Sequence, residues 1–393
     1  MAAVTSKVLV NEWCEGKTYT FQKHHQRKHH QRDDEKLSLD RLFIINYNGR
    51  LEHVVNGSHS FTLLLSTEET SNNPFFHGSC AYVAEDDELY ISSDLLQPVD
   101  PAELPIILIS RVKLIRGPML GTHDGVQSVV WSKLRPPPNM PMPAGATSWS
   151  SSSPDDRAVV YCSQGKADQP GGLYEMRPGK APQPVVSDFY GANFGCLCAV
   201  VVTNVRTAAK AYWFLDGGKR DHDPAFRDPP ELPPGVWRYS AAGGGGPRMM
   251  THDVRNPQDL AMSPDGETLY VTDTYLGKED NRLEYKSQGA VYAFDVITRS
   301  GAPFLTAKRL FALPVRGDPT GIVCDAKGHV FVGCSDGVEI FHPDGALLGV
   351  LNVPGVVRSL GWGREGELFI CTRRKLWLFT FGNDHPDLGS LWD

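Results

Sequence analysis

Four side chains combine useful chemistry with a suggestive position: His77, Gln258, Thr320 and Arg358 each lie at or beside the start of a short apolar run. Arginine is a permanent cation with a planar fork of donors, so Arg358 suits a carbonyl or enolate oxygen. The competing reading pairs it with an acidic neighbour, Asp318 or Asp259, and holds the surrounding channel shut. Histidine changes charge near neutral pH, which makes His77 a candidate general acid or base; otherwise it merely anchors a strand start. Gln258 and Thr320 add neutral donors, or else satisfy backbone groups. Cys198 as a nucleophile would need a lowered pKa and an adjacent base, and the sequence identifies neither. Asp259 adjoins Gln258 and is a lone carboxylate able to swing toward the same space. Trp149, Tyr190, Trp213, Tyr275 and Trp362 flank these runs and either wall an apolar cavity or fill the strand core.

The runs belong to a repeat that must position these side chains. Each copy has a Gly- or Pro-marked start, an apolar strand, a polar turn with Asp or Gly, and a second apolar strand. Pro257 to Met262 turns at Ser263-Pro264-Asp265-Gly266 and continues as Leu269 to Thr272. Asp318 to Cys324 turns at Asp325-Ala326-Lys327-Gly328 and continues as Val330 to Gly333. Copies beginning near Phe76 and Val357 follow the same grammar, and weaker ones begin near Pro143 and Gly195. Positions 78, 144, 198, 258, 320 and 358 are then equivalent, at steps of 66, 54, 60, 62 and 38 residues. Such steps suit the blades of a propeller with variable loops. A four-stranded blade cannot bury both faces alone, so the blades stack around an axis. The expected fold is an all-β, six-bladed β-propeller spanning 1–393 as one domain, with the six equivalent positions ringing one pocket.

Composition agrees with that class and narrows the partners. The 38 Gly and 29 Pro are spread along the chain, as expected for many short strands and turns. A net charge of −7 argues against nucleic acid or an anionic membrane as the main partner and favours a small molecule. Met1 to Glu15 lacks the apolar stretch of a secretory signal, and no run reaches the roughly 20 apolar residues of a membrane span; the expected location is cytoplasmic. The eight cysteines form no zinc-like spacing and read mostly as buried free thiols. The basic run from Lys23 to His30 reads as a solvated loop, and the Pro-rich segment 219–234 as a cover over or beside the pocket. Segments 136–143 and 243–247 read as turns or links.

Ser263-Pro264-Asp265-Gly266 with Leu269 to Thr274, Tyr292 to Val296, and Gly333 to Val338 resemble gluconolactonase/senescence-marker (regucalcin-like) propellers, especially their fungal lactonohydrolase branch. The resemblance runs from about Phe76 to Phe381 and includes Phe189-Tyr190-Gly191 and Pro230-Glu231-Leu232-Pro233. It implies a divalent cation, usually calcium, held on the axis by one Glu, two Asn and one Asp, where it polarises a lactone carbonyl and helps activate water. Those four positions fall on Gly78, Cys198, Gln258 and Thr320. Two further Asn positions of the branch fall on Ala144 and Arg358, and an Asp beside the first Asn falls on Ala199. No carboxylate remains at the four ligand positions, so the expectation is no metal and no other cofactor.

Losing the cation while gaining Arg358 keeps one fixed positive charge at the pocket. Such a pocket, walled by aromatic groups, suits reactions governed by shape and carbonyl polarisation, of which cyclisation and cycloaddition are examples. Related propellers host non-hydrolytic bond formation, as in strictosidine synthase. The resemblance extends to the hetero-Diels-Alderases of tropolonic sesquiterpenoid pathways in fungal specialised metabolism, which join a tropolone quinone methide to a humulene-type olefin. On that reading Arg358 binds the tropolone oxygens and His77 assists loss of water. Two alternatives stand beside it: a lactone hydrolase with a rebuilt metal site, and a non-catalytic small-molecule-binding propeller. Oligomeric state is not readable from the sequence.

Overall fold

The computed structural model describes residues 5–9, 13–15, 17–21, 41–47, 49–55, 59–98, 100, 104–118, 124–150, 157–166, 168–204, 210–217, 230–241, 245–274 and 289–382. Tyr275, the Lys23 to His30 run and most of segment 219–234 lie outside them, as do 243 and 244.

Six antiparallel sheets form the blades, confirming the expected all-β six-bladed propeller. Their inner strands are Ala81–Val83, Pro143–Trp149, Leu197–Asn204, Pro257–Met262, Ile322–Cys324 and Ser359–Trp362, for blades one to six. Each inner strand pairs with the next strand in sequence, and blades one to five are complete as four consecutive strands. The predicted turns form as their residues dictate. Asp265 Oδ1 accepts the Glu267 N–H at 2.9 Å and Asp325 Oδ1 accepts the Lys327 N–H at 2.9 Å, while Gly266 and Gly328 take φ of 73° and 84°. Second strands such as Val330–Cys334 are buried throughout, because both of their faces pack against neighbouring blades.

Blade six has only three strands from the C-terminal region, and Ser60–Ser66 supplies the fourth by pairing antiparallel with Lys375–Thr380. Phe43–Tyr47 likewise extends blade five beside Leu347–Asn352, with Lys17–Phe21 parallel outside it. Thr5–Leu9 and Trp13–Glu15 add to the outer edges of blades one and six. The ring is therefore sealed by strands from the start of the chain. Arg116 ties the seam between blades one and six, bonding Asp87 at 2.7 Å and Glu367 at 2.5 Å. Around the axis the inner strands approach too closely for ordinary side chains at three joints: a Cβ on Gly145 would lie 2.0 Å from the Cys198 carbonyl oxygen, one on Gly361 2.2 Å from that of Cys80, and one on Gly321 2.8 Å from Ser359 Cα. Among the described residues no helix is long and apolar enough to cross a membrane.

Candidate functional site

A cavity of about 950 Å³ follows the propeller axis. All six equivalent positions, Gly78, Ala144, Cys198, Gln258, Thr320 and Arg358, line it, as do His77, Asp259, Trp149 and Trp362.

The strand starts are pinned by a device the repeat did not reveal. The last residue of each second strand is polar or a thiol: Ser92, Ser163, Asp216, Asp273, Cys334 and Thr372. Asp216 accepts the N–H groups of Gly195 and Cys196 at 2.8 and 2.9 Å, and Asp273 those of Arg255 and Asn256, both at 2.9 Å. Ser163 donates to the Pro141 carbonyl, and the Ser92 hydroxyl lies 3.2 Å from that of Ser79. Blade five has Cys334 at this place, and Glu339 on the next strand takes over, accepting from Val315 at 2.8 Å and Arg316 at 2.6 Å. Burial pushes the Glu339 carboxyl up to about 7 despite those bonds and the nearby Arg316 charge.

Around the mouth, His77 Nε2 lies 3.4 Å from Asp94 Oδ2, and Arg373 donates to the same oxygen at 3.0 Å. Burial works to raise the Asp94 carboxyl. His77, the Leu95 N–H and Arg373 together outweigh it and hold Asp94 below the usual carboxylate value. Asp94 and Arg373 both line the cavity and both escaped the sequence reading, since each lies well outside the motif that carries its partner. Arg358 is half-buried on the ring, its backbone N–H bonded to the Cys371 carbonyl at 2.8 Å.

The remaining ring residues turn toward the protein itself. The Thr320 hydroxyl bonds the Val357 and Gly333 carbonyls at 2.6 and 3.0 Å, so its single proton serves the backbone and the residue is a strut between blades five and six. Gln258 directs its amide to Asn256, at 3.1 Å from the backbone oxygen and 3.2 Å from Oδ1. The Cys198 thiol faces the Leu215 and Pro257 carbonyls at 3.8 Å, as a donor to the backbone. Asp259 accepts the Leu260 N–H at 2.9 Å and reaches across to the Ile322 N–H at 3.0 Å, joining blades four and five. Asp318 accepts the Gly289 N–H at 3.2 Å.

Of the expected aromatic wall, Trp149 and Trp362 reach the cavity at its far end. Trp213 is buried in the core between blades. Tyr190 does not reach the cavity: it occupies a hairpin turn at φ 51° and is 79% exposed. The left-handed turn leaves the ring largely in solvent, with the Phe189 ring at 5.0 Å and Gly246 close against its phenol end. None of the seven cysteines with described side chains is in a disulfide, and six are buried.

The donor set can be tested against the cation that the resemblance implies. Calcium takes six to eight oxygens, several of them carboxylate. Gly78 offers none, Cys198 offers a thiol, Gln258 is held by Asn256 and Thr320 by two carbonyls, and both Asp259 oxygens already receive N–H groups. A Cβ on Gly78 would also lie 3.0 Å from the Ala144 oxygen, so the lost side chain has little room to return. Among the described residues no group of three or more His, Cys, Asp or Glu is gathered for a metal. This ring does not fit a calcium ion.

Comparison with known proteins agrees with the architecture. Residues 222–374 match the family described as SMP-30/Gluconolactonase/LRE-like region. Lactonohydrolase oryH of Aspergillus oryzae is 30% identical over 160 residues, which cover 36% of this chain and 32% of that protein, so the chain spans about a third of that relative's length. Among solved structures, the gluconolactonase XC5397 from Xanthomonas campestris superposes with a TM-score of 0.61 at 21% identity, covering 86% of this chain and 95% of that one. The calcium structure of the Trichoderma reesei carbohydrate-active enzyme of family AA12 gives 0.52 at 8% identity, covering 84% and 97%. At these identities the structural likeness establishes the fold alone.

Proposed function

From the premise that the chain carries an SMP-30/gluconolactonase/LRE-like region, we propose that its channel acts on a carbonyl-bearing small molecule by fixed protein charges, without a divalent cation. One observation carries the reading. The side chains at the four expected ligand positions are absent or turned to the protein backbone and Asn256, whereas Arg358 and the His77–Asp94–Arg373 group are charged or ionisable and line the same mouth. Arg358 donates hydrogen bonds to an oxygen on which negative charge develops, the task a cation would otherwise perform. Asp94 orients His77, and in its imidazolium form that ring delivers a proton to a departing hydroxyl.

The reaction class this supports is cyclisation or cycloaddition. In its most specific form, a hydroxymethyl tropolone loses water as His77 protonates the leaving hydroxyl and the enol proton passes to solvent. The resulting quinone methide is held through its oxygens by Arg358, and a humulene-type olefin adds to it in a hetero-Diels-Alder step that needs no net proton or electron. Confinement of both reactants removes much of the entropic barrier. A second reading, lactone hydrolysis, is favoured by the 30% identity to lactonohydrolase oryH; there His77 activates water and Arg358 stabilises the oxyanion. A third role, binding without turnover, would leave a retained ligand unchanged.

The test uses the purified protein with candidate lactones and with the quinone-methide precursor plus humulene. Turnover that survives exhaustive EDTA, and falls about 10²- to 10³-fold in Arg358→Met, is the expected result. Loss of turnover with EDTA and recovery with calcium would overturn the metal-free reading. Incorporation of ¹⁸O from labelled water into a ring-opened product would select hydrolysis over cycloaddition.

A further inference from the structure

The channel runs far deeper than the ring of strand starts. Blade two lines it from Ala144 to Ser150 and blade six from Arg358 to Arg364. At about 3.3 Å per residue those segments make it about 20 Å deep, the full depth of the inner strands. Its charged groups are segregated at the two ends. His77, Asp94, Asp318, Arg358 and Arg373 stand at one mouth with Asp259 one residue further in, its two oxygens bonded to the Leu260 and Ile322 N–H groups, and Glu85, Asp325 and Arg364 stand at the turns of the other. Between Asp259 and the far turns, the described lining carries no Asp, Glu, Lys, Arg or His. Ala146, Val201, Leu260, Val323 and Leu360 line that middle section, and of these Ala146, Val201 and Val323 are only partly buried.

At the far end two indoles are fixed in place. Trp362 Nε1 donates to the Cys324 carbonyl at 2.7 Å, and its ring packs edge-on against Phe331 at 5.1 Å. Trp149 lies under Lys210 Nζ at 3.1 Å, and that ammonium is anchored on Glu175 at 2.7 Å. A volume of about 950 Å³ is near the upper end for small-molecule sites, and here it is distributed along a line. We infer that the ligand is elongated: a carbonyl-bearing head at the His77 and Arg358 mouth, and an apolar body that fills the uncharged middle and reaches the level of Trp149 and Trp362. This deepens the proposed function and rests on it only for the direction in which the head points. A compact sugar lactone would leave the middle section unfilled, so the substrate class is a long, largely hydrocarbon molecule.

The test is calorimetric binding of γ-lactones with growing alkyl chains, from γ-hexalactone to γ-dodecalactone, to the full-length protein. Affinity is expected to rise with every added methylene, by up to about fourfold each, through the longest member. Affinity that stops rising within the first members would overturn the inference. Ala146→Leu and Val323→Phe obstruct the middle from two different blades. Each is expected to weaken γ-dodecalactone about tenfold, the effect of excluding roughly two methylenes, and to leave γ-hexalactone unchanged. Equal effects on both lactones, or no effect on either, would count against it. Should neither variant fold, the wild-type series decides alone. If Arg358→Met leaves every affinity unchanged while the chain-length rise persists, the polarised head fails and the elongated channel stands.

Discussion

Replacing Glu339 by Gln is expected to remove a component of stability that the protein loses as pH rises toward neutrality. The carboxyl is wholly buried at 0% exposure, receives two backbone N–H groups through Oε1, and has its Oε2 buried with no hydrogen-bond partner among the described residues. Burial lifts it from 4.5 to about 7. Between those values the unfolded chain has released its proton and the folded chain has kept it, so stability must fall with rising pH. The gap corresponds to about 3 kcal/mol, complete above neutrality. Glutamine keeps an oxygen for the Val315 and Arg316 N–H groups and cannot ionise. Urea unfolding of wild type and Glu339→Gln at a series of pH values from about 4 to about 8 measures the difference directly. The variant should gain on the wild type across the interval from 4.5 to about 7. A difference that stays flat with pH would refute the assignment, and with it the view that this carboxyl is the costly substitute for an aspartate at the end of the preceding strand.

Arg116→Met leaves the Glu367 carboxylate, 9% exposed, without its cation at the seam of blades one and six, and should cost about 3–5 kcal/mol in denaturant unfolding. A loss below about 1 kcal/mol would show that the pair is solvated. Thr320→Val removes the donor to the Val357 and Gly333 carbonyls and should destabilise by about 1–3 kcal/mol; a variant as stable as wild type would contradict its role as a strut. Asp94 has a lowered pKa, so the stability it contributes is present above the ordinary carboxylate range and is lost as pH falls through its folded value. Asp94→Asn should therefore flatten the acid limb of the stability curve, and superimposable acid limbs would exclude it.

The blade grammar was legible because it is local. Asp265 and Asp325 build their turns from atoms within two residues, and Gly266 and Gly328 supply the positive φ those turns require. The ring of six positions followed from the same spacing. What stayed hidden depends on pairings across the chain. Asp94 and Arg373, which meet at 3.0 Å, are 279 residues apart in sequence. The pinning residues at the ends of the second strands vary between Ser, Asp, Cys and Thr, so no single motif marks them. The strand that completes the last blade, Ser60–Ser66, comes from the first blade's side of the chain, so the spacing of the repeat could not reveal it. Tyr190 was misplaced because a hairpin turn and a strand start can share an aromatic-glycine pattern, and only the backbone angle distinguishes them. Thr320 takes the alternative the sequence left open, its hydroxyl bonded to backbone carbonyls, while the reach of Asp259 to the Ile322 N–H depends on a neighbouring blade that local sequence does not reveal.

The strand swap that seals the ring also dictates when the protein can become functional during its synthesis. Ser60–Ser66 leaves the ribosome early and must wait, with one edge unsatisfied, until Lys375–Thr380 emerges. Until then the nascent chain is an open arc with no enclosed axis, and a substrate would find no chamber to enter. A chain released before the last blade would keep exposed strand edges, so closure of the ring reduces to whether Ser60–Ser66 and Lys375–Thr380 have met.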